Sequence, residues 1–268
     1  ILVFLAPLIF KAFLYFVWAR LLLGASKPFR ISEQAQKVSL NYGSSAPSQT
    51  ITLEADEELV LNHDYAQSSD SVKEDDGFMS YTRWVLSWRY PLTSLCCQLF
   101  GMTAFVNESK TPKEVTVSHR GIADREIAVF ELVEGQSLVL RPQFIAGIVK
   151  KRDSDMRIES HWRIGRLQSW ITFQFRYFEF HAPCRLVLWA TRGIRAERLD
   201  TESGGKTVDP ASVIGYSPSL SYDSRPAEKF FPYLCGKNAL FDDYFSGEGY
   251  YLCQQISKNP DGRDQRTF

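Results

Sequence analysis

An excess of either charge is absent: 31 lysines and arginines face 31 aspartates and glutamates across 268 residues. This balance gives no global field toward nucleic acid or an anionic membrane surface, so any such binding has to be local. Cysteine is scarce, five in all, with Cys96 and Cys97 adjacent and Cys184, Cys235 and Cys253 far apart in β-like runs. An odd count so distributed suits buried free thiols in a reducing compartment better than a disulfide framework. Beyond the N-terminus no window of ordinary helix length carries a convincing 3.6-residue period, which leaves a β reading for the body of the chain.

Catalytic signatures are missing too. There is no Gly-x-Ser-x-Gly elbow, and Gly204-Gly205-Lys206 lacks the first glycine of a phosphate-binding loop, Asp200 standing in its place, so it reads as a turn. His181 and Cys184 offer two soft ligands, yet zinc takes four, and His63, His119 and His161 show no supporting spacing. Asp75 and Asp76, inside Lys73-Glu-Asp-Asp-Gly77, read as a solvated loop and not as an acid and base pair. The sequence therefore nominates no catalytic residue, no cofactor and no metal ligand.

What is present begins with Ile1 to Gly24, apolar except for Lys11 and Arg20. The first residue is Ile and not Met, which reads as a processed chain or a fragment. As one helix the run would span roughly 36 Å, against about 30 Å of bilayer hydrocarbon, so the expectation is a single-pass transmembrane helix over residues 1–24. Trp18 and Tyr15 would sit at one interface, and the basic flank Arg20, Lys27, Arg30 and Lys37 would put the rest of the chain on the cytoplasmic side. Lys11 either faces a partner subunit or a cavity at mid-span, or snorkels to the interface. Residues 25–50 turn polar and read as a linker.

From residue 51 onward, short alternating runs are broken by Gly, Pro, Asn and Asp, the pattern of an all-β domain. Its clearest unit is Glu126 to Ile148, where two apolar runs flank Glu134-Gly135-Gln136 and predict a β-hairpin. Similar turns recur at His63, Pro142 and Pro210, and second markers recur at Phe100, Phe180 and Phe245, at nearly constant separation. Such a period predicts stacked units at about 51–110, 111–195 and 196–257, followed by a tail at 258–268.

The runs Leu132-Val-Glu-Gly-Gln-Ser-Leu-Val-Leu-Arg-Pro-Gln-Phe-Ile-Ala-Gly, Val208-Asp-Pro-Ala-Ser-Val-Ile-Gly-Tyr-Ser-Pro-Ser-Leu and Tyr244-Phe-Ser-Gly-Glu-Gly-Tyr-Tyr-Leu-Cys-Gln-Gln carry a resemblance. Over roughly Ile51 to Ile256 the chain resembles the altered inheritance of mitochondria protein 24 family, also called the mitochondrial biogenesis family. His63-Asp64 and Gln143 stand where that family has a Pro-Gly turn, and Glu248 stands where it has the Pro of Gly-Pro-Gly. The resemblance implies a TRAP-like domain, a short double-stranded β-helix or β-sandwich of three pseudo-repeats, with no established enzymatic activity and a part in membrane organisation.

The expected function is a non-enzymatic, membrane-anchored accessory or scaffold subunit of a larger membrane-protein complex. Lys11, Trp18 and Arg20 are its contact candidates on the helix, where lipid contact is also expected. The basic and aromatic run with Trp162, Arg163, Arg166 and Trp170 supplies candidates on the β domain. That run reads more readily as a strand pair with Arg on its wet face than as a nucleic-acid stacking surface, although a ligand- or nucleic-acid-binding TRAP-like module is the alternative.

Overall fold

The structure, a computed structural model, describes residues 2–24, 28–32, 41–70, 77–86, 91–96, 99–119, 121–154, 156–162, 169, 176–201, 204–236 and 238–255. Strands dominate it, and two of them show why. In Lys113–Ser118, Val115 and Val117 are buried while Glu114 is exposed; in Phe241–Ser246, Phe241, Asp243 and Phe245 are buried and their neighbours are not. Period-two alternation puts one face of each strand against a core.

After β1 (Asn41–Tyr42), six strands follow over the first stretch: β2 (Ser48–Leu53), β3 (Glu57–Leu61), β4 (Ala66–Ser69), β5 (Phe78–Val85), β6 (Phe100–Asn107) and β7 (Lys113–Ser118). Next come β8 (Arg125–Leu132), β9 (Ser137–Leu140), β10 (Ile145–Lys151), β11 (Ile158–Trp162), β12 (Arg176–His181) and β13 (Cys184–Thr191). The last are β14 (Ile194–Leu199), β15 (Lys206–Val208), β16 (Val213–Tyr216), β17 (Ser221–Pro226), β18 (Phe241–Ser246) and β19 (Gly249–Gln254). They form four antiparallel sheets in a β-sandwich: β1-β8-β13-β10-β3-β6-β5, β11-β12-β9-β16-β19-β14, β15-β18-β17 and β2-β7-β4.

The six-stranded sheet is covered on both faces. Leu138, Leu140, Ile158, Phe178 and Phe180 point into the main core, whereas Val139, Tyr177, Tyr216, Tyr251 and Cys253 join Tyr222 and Phe245 of the β15-β18-β17 sheet in a second, tyrosine-rich core. The hairpin expected around Glu134-Gly135-Gln136 is not one. β8 pairs with β1 and β13, and β9 pairs with β12 and β16, so the turn carries the chain from one sheet to another. The alternating pattern is the same in both cases, because it reports burial of a face and not the identity of the neighbouring strand.

The chain closes in tightly at bulges in β10, between Ile145 and Gly147, and in β16, between Val213 and Gly215. A Cβ on Gly215 would lie 2.4 Å from the Val139 carbonyl oxygen, and one on Gly147 would lie 2.7 Å from that of Val60. Only glycine lets the backbones approach so closely.

The single-pass transmembrane helix expected over residues 1–24 is corrected by the structure. The segment divides into α1 (Leu2–Phe13), a π-helical stretch (Leu14–Trp18) and α2 (Ala19–Gly24), and no helix among the described residues is long and apolar enough to cross a membrane. The cytoplasmic placement of the β domain, which rested on that span, falls with it. The segment packs on the protein itself: Tyr15 is buried with Ala227 and Tyr233, and its hydroxyl donates to the Ala227 carbonyl. The Lys11 ammonium donates to the Leu234 carbonyl at 3.0 Å, at the end of a short helix that follows α3 (Pro91–Cys96) in chain order, α4 (Phe230–Leu234). Its charge is met by this chain's own backbone and not by a mid-span partner.

Part of the expected linker is ordered as well. Phe29 exchanges backbone hydrogen bonds of 2.8 and 2.7 Å with Tyr222, and β1 adds to the edge of the seven-stranded sheet. Cys184 and Cys253 are buried free thiols as expected, but Cys235 is exposed just beyond α4. Asp75, Asp76 and the tail at 258–268 lie outside the described residues.

Polar anchoring inside the seven-stranded sheet centres on Glu58, which is 1% exposed. It accepts from Tyr81 at 2.9 Å, pairs with Arg83 and has Lys150, its register partner on β10, at 3.5 Å. Burial alone would raise its pKa, but the Arg83 hydrogen bond and charge, with Tyr81 and Lys150, outweigh that and hold it below the usual 4.5.

Two outcomes follow from these contacts. Gly215→Ala lowers the unfolding free energy by about 2 kcal/mol in urea titration, as overpacking does. Gly43→Ala, whose methyl meets nothing within 4 Å, changes it by no more than about 0.5 kcal/mol. For Glu58 the folded-state pKa lies below the unfolded one, so its stabilisation is present above 4.5 and is lost as pH falls through the folded value. Melting temperatures measured across the acid range should fall more steeply for the wild type than for Glu58→Gln, which starts lower at neutral pH.

Candidate functional site

The most chemically equipped surface lies on the face of the six-stranded sheet that also carries Tyr177. Antiparallel register sets Glu159 opposite Glu179, His161 opposite Tyr177, and Ser137 opposite His181. Because side chains two apart on a strand share a face, Glu159 and His161 of β11 and Glu179 and His181 of β12 all project to the same side. The sequence carries this as two Glu-x-His steps, Glu159-Ser-His161 and Glu179-Phe-His181.

The four groups converge. His161 Nε2 is 2.8 Å from Glu179 Oε2 and 3.9 Å from Glu159 Oε2; His181 Nε2 is 3.7 Å from Glu159 Oε2 and 3.8 Å from Glu179 Oε1. Ser137 donates its hydroxyl to Glu179 Oε1 at 2.6 Å, and Arg157 pairs with Glu159 Oε1. The His181 Nε2 atom is buried and makes no hydrogen bond among the described residues. Burial would raise the Glu179 pKa, but hydrogen bonds from His161 and Ser137 and the neighbouring imidazoles hold it below 4.5, so a carboxylate stands at the centre of the group.

Cys184 belongs to a different environment. Its thiol is buried, pushed up to about 12 by that burial, and its sulfur contacts the His181 carbonyl at 3.6 Å. Thus the pair His181 and Cys184 is not the chemical unit; His181 faces Glu159 across the β11–β12 pair and shares Glu179 with His161. A search for local ligand spacing misses this because the two Glu-x-His steps become neighbours only through β11–β12 pairing.

Of the residues expected to bind partners, those described lie in separate places. Trp162 is 59% exposed with the Arg176 guanidinium stacked 4.7 Å from its ring centroid, and Arg163, Arg166 and Trp170 lie outside the described residues. Lys11 is bonded to Leu234, while Trp18, 40% exposed, and Arg20 lie on the outer side of the N-terminal segment.

A second polar feature is structural in character. Arg141, at the end of β9, donates to Asp243 at 2.6 Å and to the Pro210 carbonyl, and Tyr222 donates to the other Asp243 oxygen at 2.8 Å. Burial pushes the Asp243 carboxyl upward, and Arg141 and Tyr222 offset part of that. The adjacent cavity, lined by Tyr177, Tyr216 and Tyr222 among others, measures about 10 Å³, room for roughly one water.

No protein-family model matches the chain, and no curated protein matches it. Among solved structures it is similar to the protein SPYM3_0169 from Streptococcus pyogenes, with a TM-score of 0.54 and 14% identity over 81% of this chain and 94% of that one. At that identity the likeness is one of fold, and the chain shares the overall β architecture of the streptococcal protein.

Proposed function

We propose that the chain is a non-enzymatic accessory or scaffold subunit that docks onto another protein through its N-terminal helical segment. The observation that carries this reading is a set of exposed apolar side chains on the N-terminal segment, Ile9 64%, Phe10 61%, Phe13 48% and Leu21 66%, with Phe231 of α4 exposed at 74% as well. Spacings of four and three residues relate Ile9 and Phe10 to Phe13, which puts these three on one side of α1. The opposite side is fixed by Tyr15, Ala19 and Lys11, so these side chains are held in a set orientation by the β domain. An exposed apolar surface of this kind on an otherwise charge-balanced protein is characteristic of an interaction site. Trp18 and Arg20 are exposed on the same segment.

The finer fold assignment belongs to the same reading. Strand order supports three copies of a six-strand unit, over Ser48–Ser118, Arg125–Thr191 and Ile194–Gln254. In each, the first, sixth and third strands form one triplet, and the second, fifth and fourth form the other: β2-β7-β4 with β3-β6-β5, β8-β13-β10 with β9-β12-β11, and β14-β19-β16 with β15-β18-β17. Pairing of β10 with β3 and of β16 with β9 links one unit to the next. This arrangement, with the sequence resemblance over Ile51 to Ile256, supports a TRAP-like scaffold of the mitochondrial biogenesis family. The stacking of Arg176 on Trp162 already occupies one aromatic face, which weighs against the nucleic-acid alternative.

The test is native-source purification of the wild type beside a Phe10→Ser, Phe13→Ser double variant. The expected result is a stoichiometric complex for the wild type and monomer-sized elution for the variant, with unchanged circular dichroism and melting temperature. A wild-type chain that elutes alone, or a complex indifferent to the double substitution, overturns the proposal.

A further inference from the structure

Independently of the helical docking surface, the four-residue cluster on β11 and β12 has the composition and geometry of a metal site. We propose that Glu159, His161, Glu179 and His181 bind one divalent first-row transition-metal ion of the zinc type. Two imidazoles and two carboxylates form a borderline donor set suited to zinc, iron or manganese, in contrast to the all-oxygen sets that magnesium and calcium take.

Three observations converge on this assignment. First, one ligand atom each from Glu159, Glu179 and His181 lies within 4.8 Å of the others, and the His161 Nε2 atom adds a fourth donor 3.9 Å from Glu159 Oε2. Ligands bound at 2.0–2.2 Å around a tetrahedral ion stand about 3.4 Å from one another, so the separations of 3.7–3.9 Å close by a few tenths of an ångström, and the 2.8 Å between His161 Nε2 and Glu179 Oε2 opens by about 0.6 Å. Side-chain rotation supplies that movement without displacing a strand.

Second, His181 Nε2 faces both carboxylates at distances too long for a hydrogen bond, and the atom is buried from water. A shared cation explains this placement better than an ion pair does, since imidazole and carboxylate in direct partnership close to hydrogen-bond distance, as His161 and Glu179 have at 2.8 Å. Third, support beyond the donors is in place. Ser137 on the neighbouring strand bonds Glu179, and Arg157 bonds the Glu159 oxygen turned away from His181, so each carboxylate is oriented by a second group. Of the four side chains, Glu159, His161 and His181 retain 26–30% exposure, which leaves an approach from solvent.

The experiment uses the full chain stripped with EDTA and titrated calorimetrically with Zn²⁺ at neutral pH, with Mg²⁺ in parallel. The expected result is saturable binding of one Zn²⁺ per chain, a raised melting temperature with Zn²⁺ and no response to Mg²⁺. His161→Gln combined with His181→Gln should weaken Zn²⁺ binding at least about 100-fold, and Ser137→Ala about 10-fold. Co²⁺ substitution reports the donors separately, because nitrogen and oxygen ligation gives d–d bands without a thiolate charge-transfer band. If the double variant does not fold, Glu159→Gln, at a partly exposed position, carries the comparison. Absence of one-to-one Zn²⁺ binding, binding undiminished in the folded variants, or a thiolate band overturns the proposal.

Discussion

The structure depends on burying both faces of the six-stranded sheet at once. β9 shows the constraint most directly: Ser137, Leu138, Val139 and Leu140 are all buried, with Leu138 and Leu140 in the main core and Val139 in the tyrosine-rich one. A strand in that position has no wet face on which to place a polar side chain. Its backbone pairs with β12 on one side and β16 on the other, and Gly215 allows the second of these to approach. Where the strand ends, Arg141 turns into the seam and finds Asp243 and Tyr222 around it, so its charge is paired and hydrogen-bonded.

The same logic explains the N-terminal segment. Its apolar composition serves two surfaces: one packs on Ala227 and Tyr233, and the other remains exposed. Lys11 and Tyr15 are not exceptions to an apolar helix but its fastenings, each donating to a backbone carbonyl between Ala227 and Leu234. A composition that looks like lipid solvation is here partly protein contact, since lipid tails and side chains are equally apolar neighbours.

Chemistry is concentrated where the tyrosine-rich core gives way to the edge strand β11. His161 pairs across the sheet with Tyr177, one of that core's members, and from there outward the face carries carboxylates and imidazoles. These groups sit on strands and not on loops, so their spacing is set by sheet register, and two of them are braced by Ser137 and Arg157. A site built in this way is rigid, which favours an ion over a flexible ligand.

Residue order alone determined the all-β character, the alternation of Val115 and Val117 with their neighbours, and the sharing of a face by Glu159 with His161 and by Glu179 with His181. These are consequences of the two-residue period, which is local and visible in any strand. Tertiary structure decided that β8 and β9 enter different sheets, that the two Glu-x-His steps lie side by side, and that Lys11 meets Leu234. The reason is that a strand's backbone donors accept any partner of matching length and register. Which partner they find is settled by the joint burial of side chains far apart in the chain, and no short-range pattern records it.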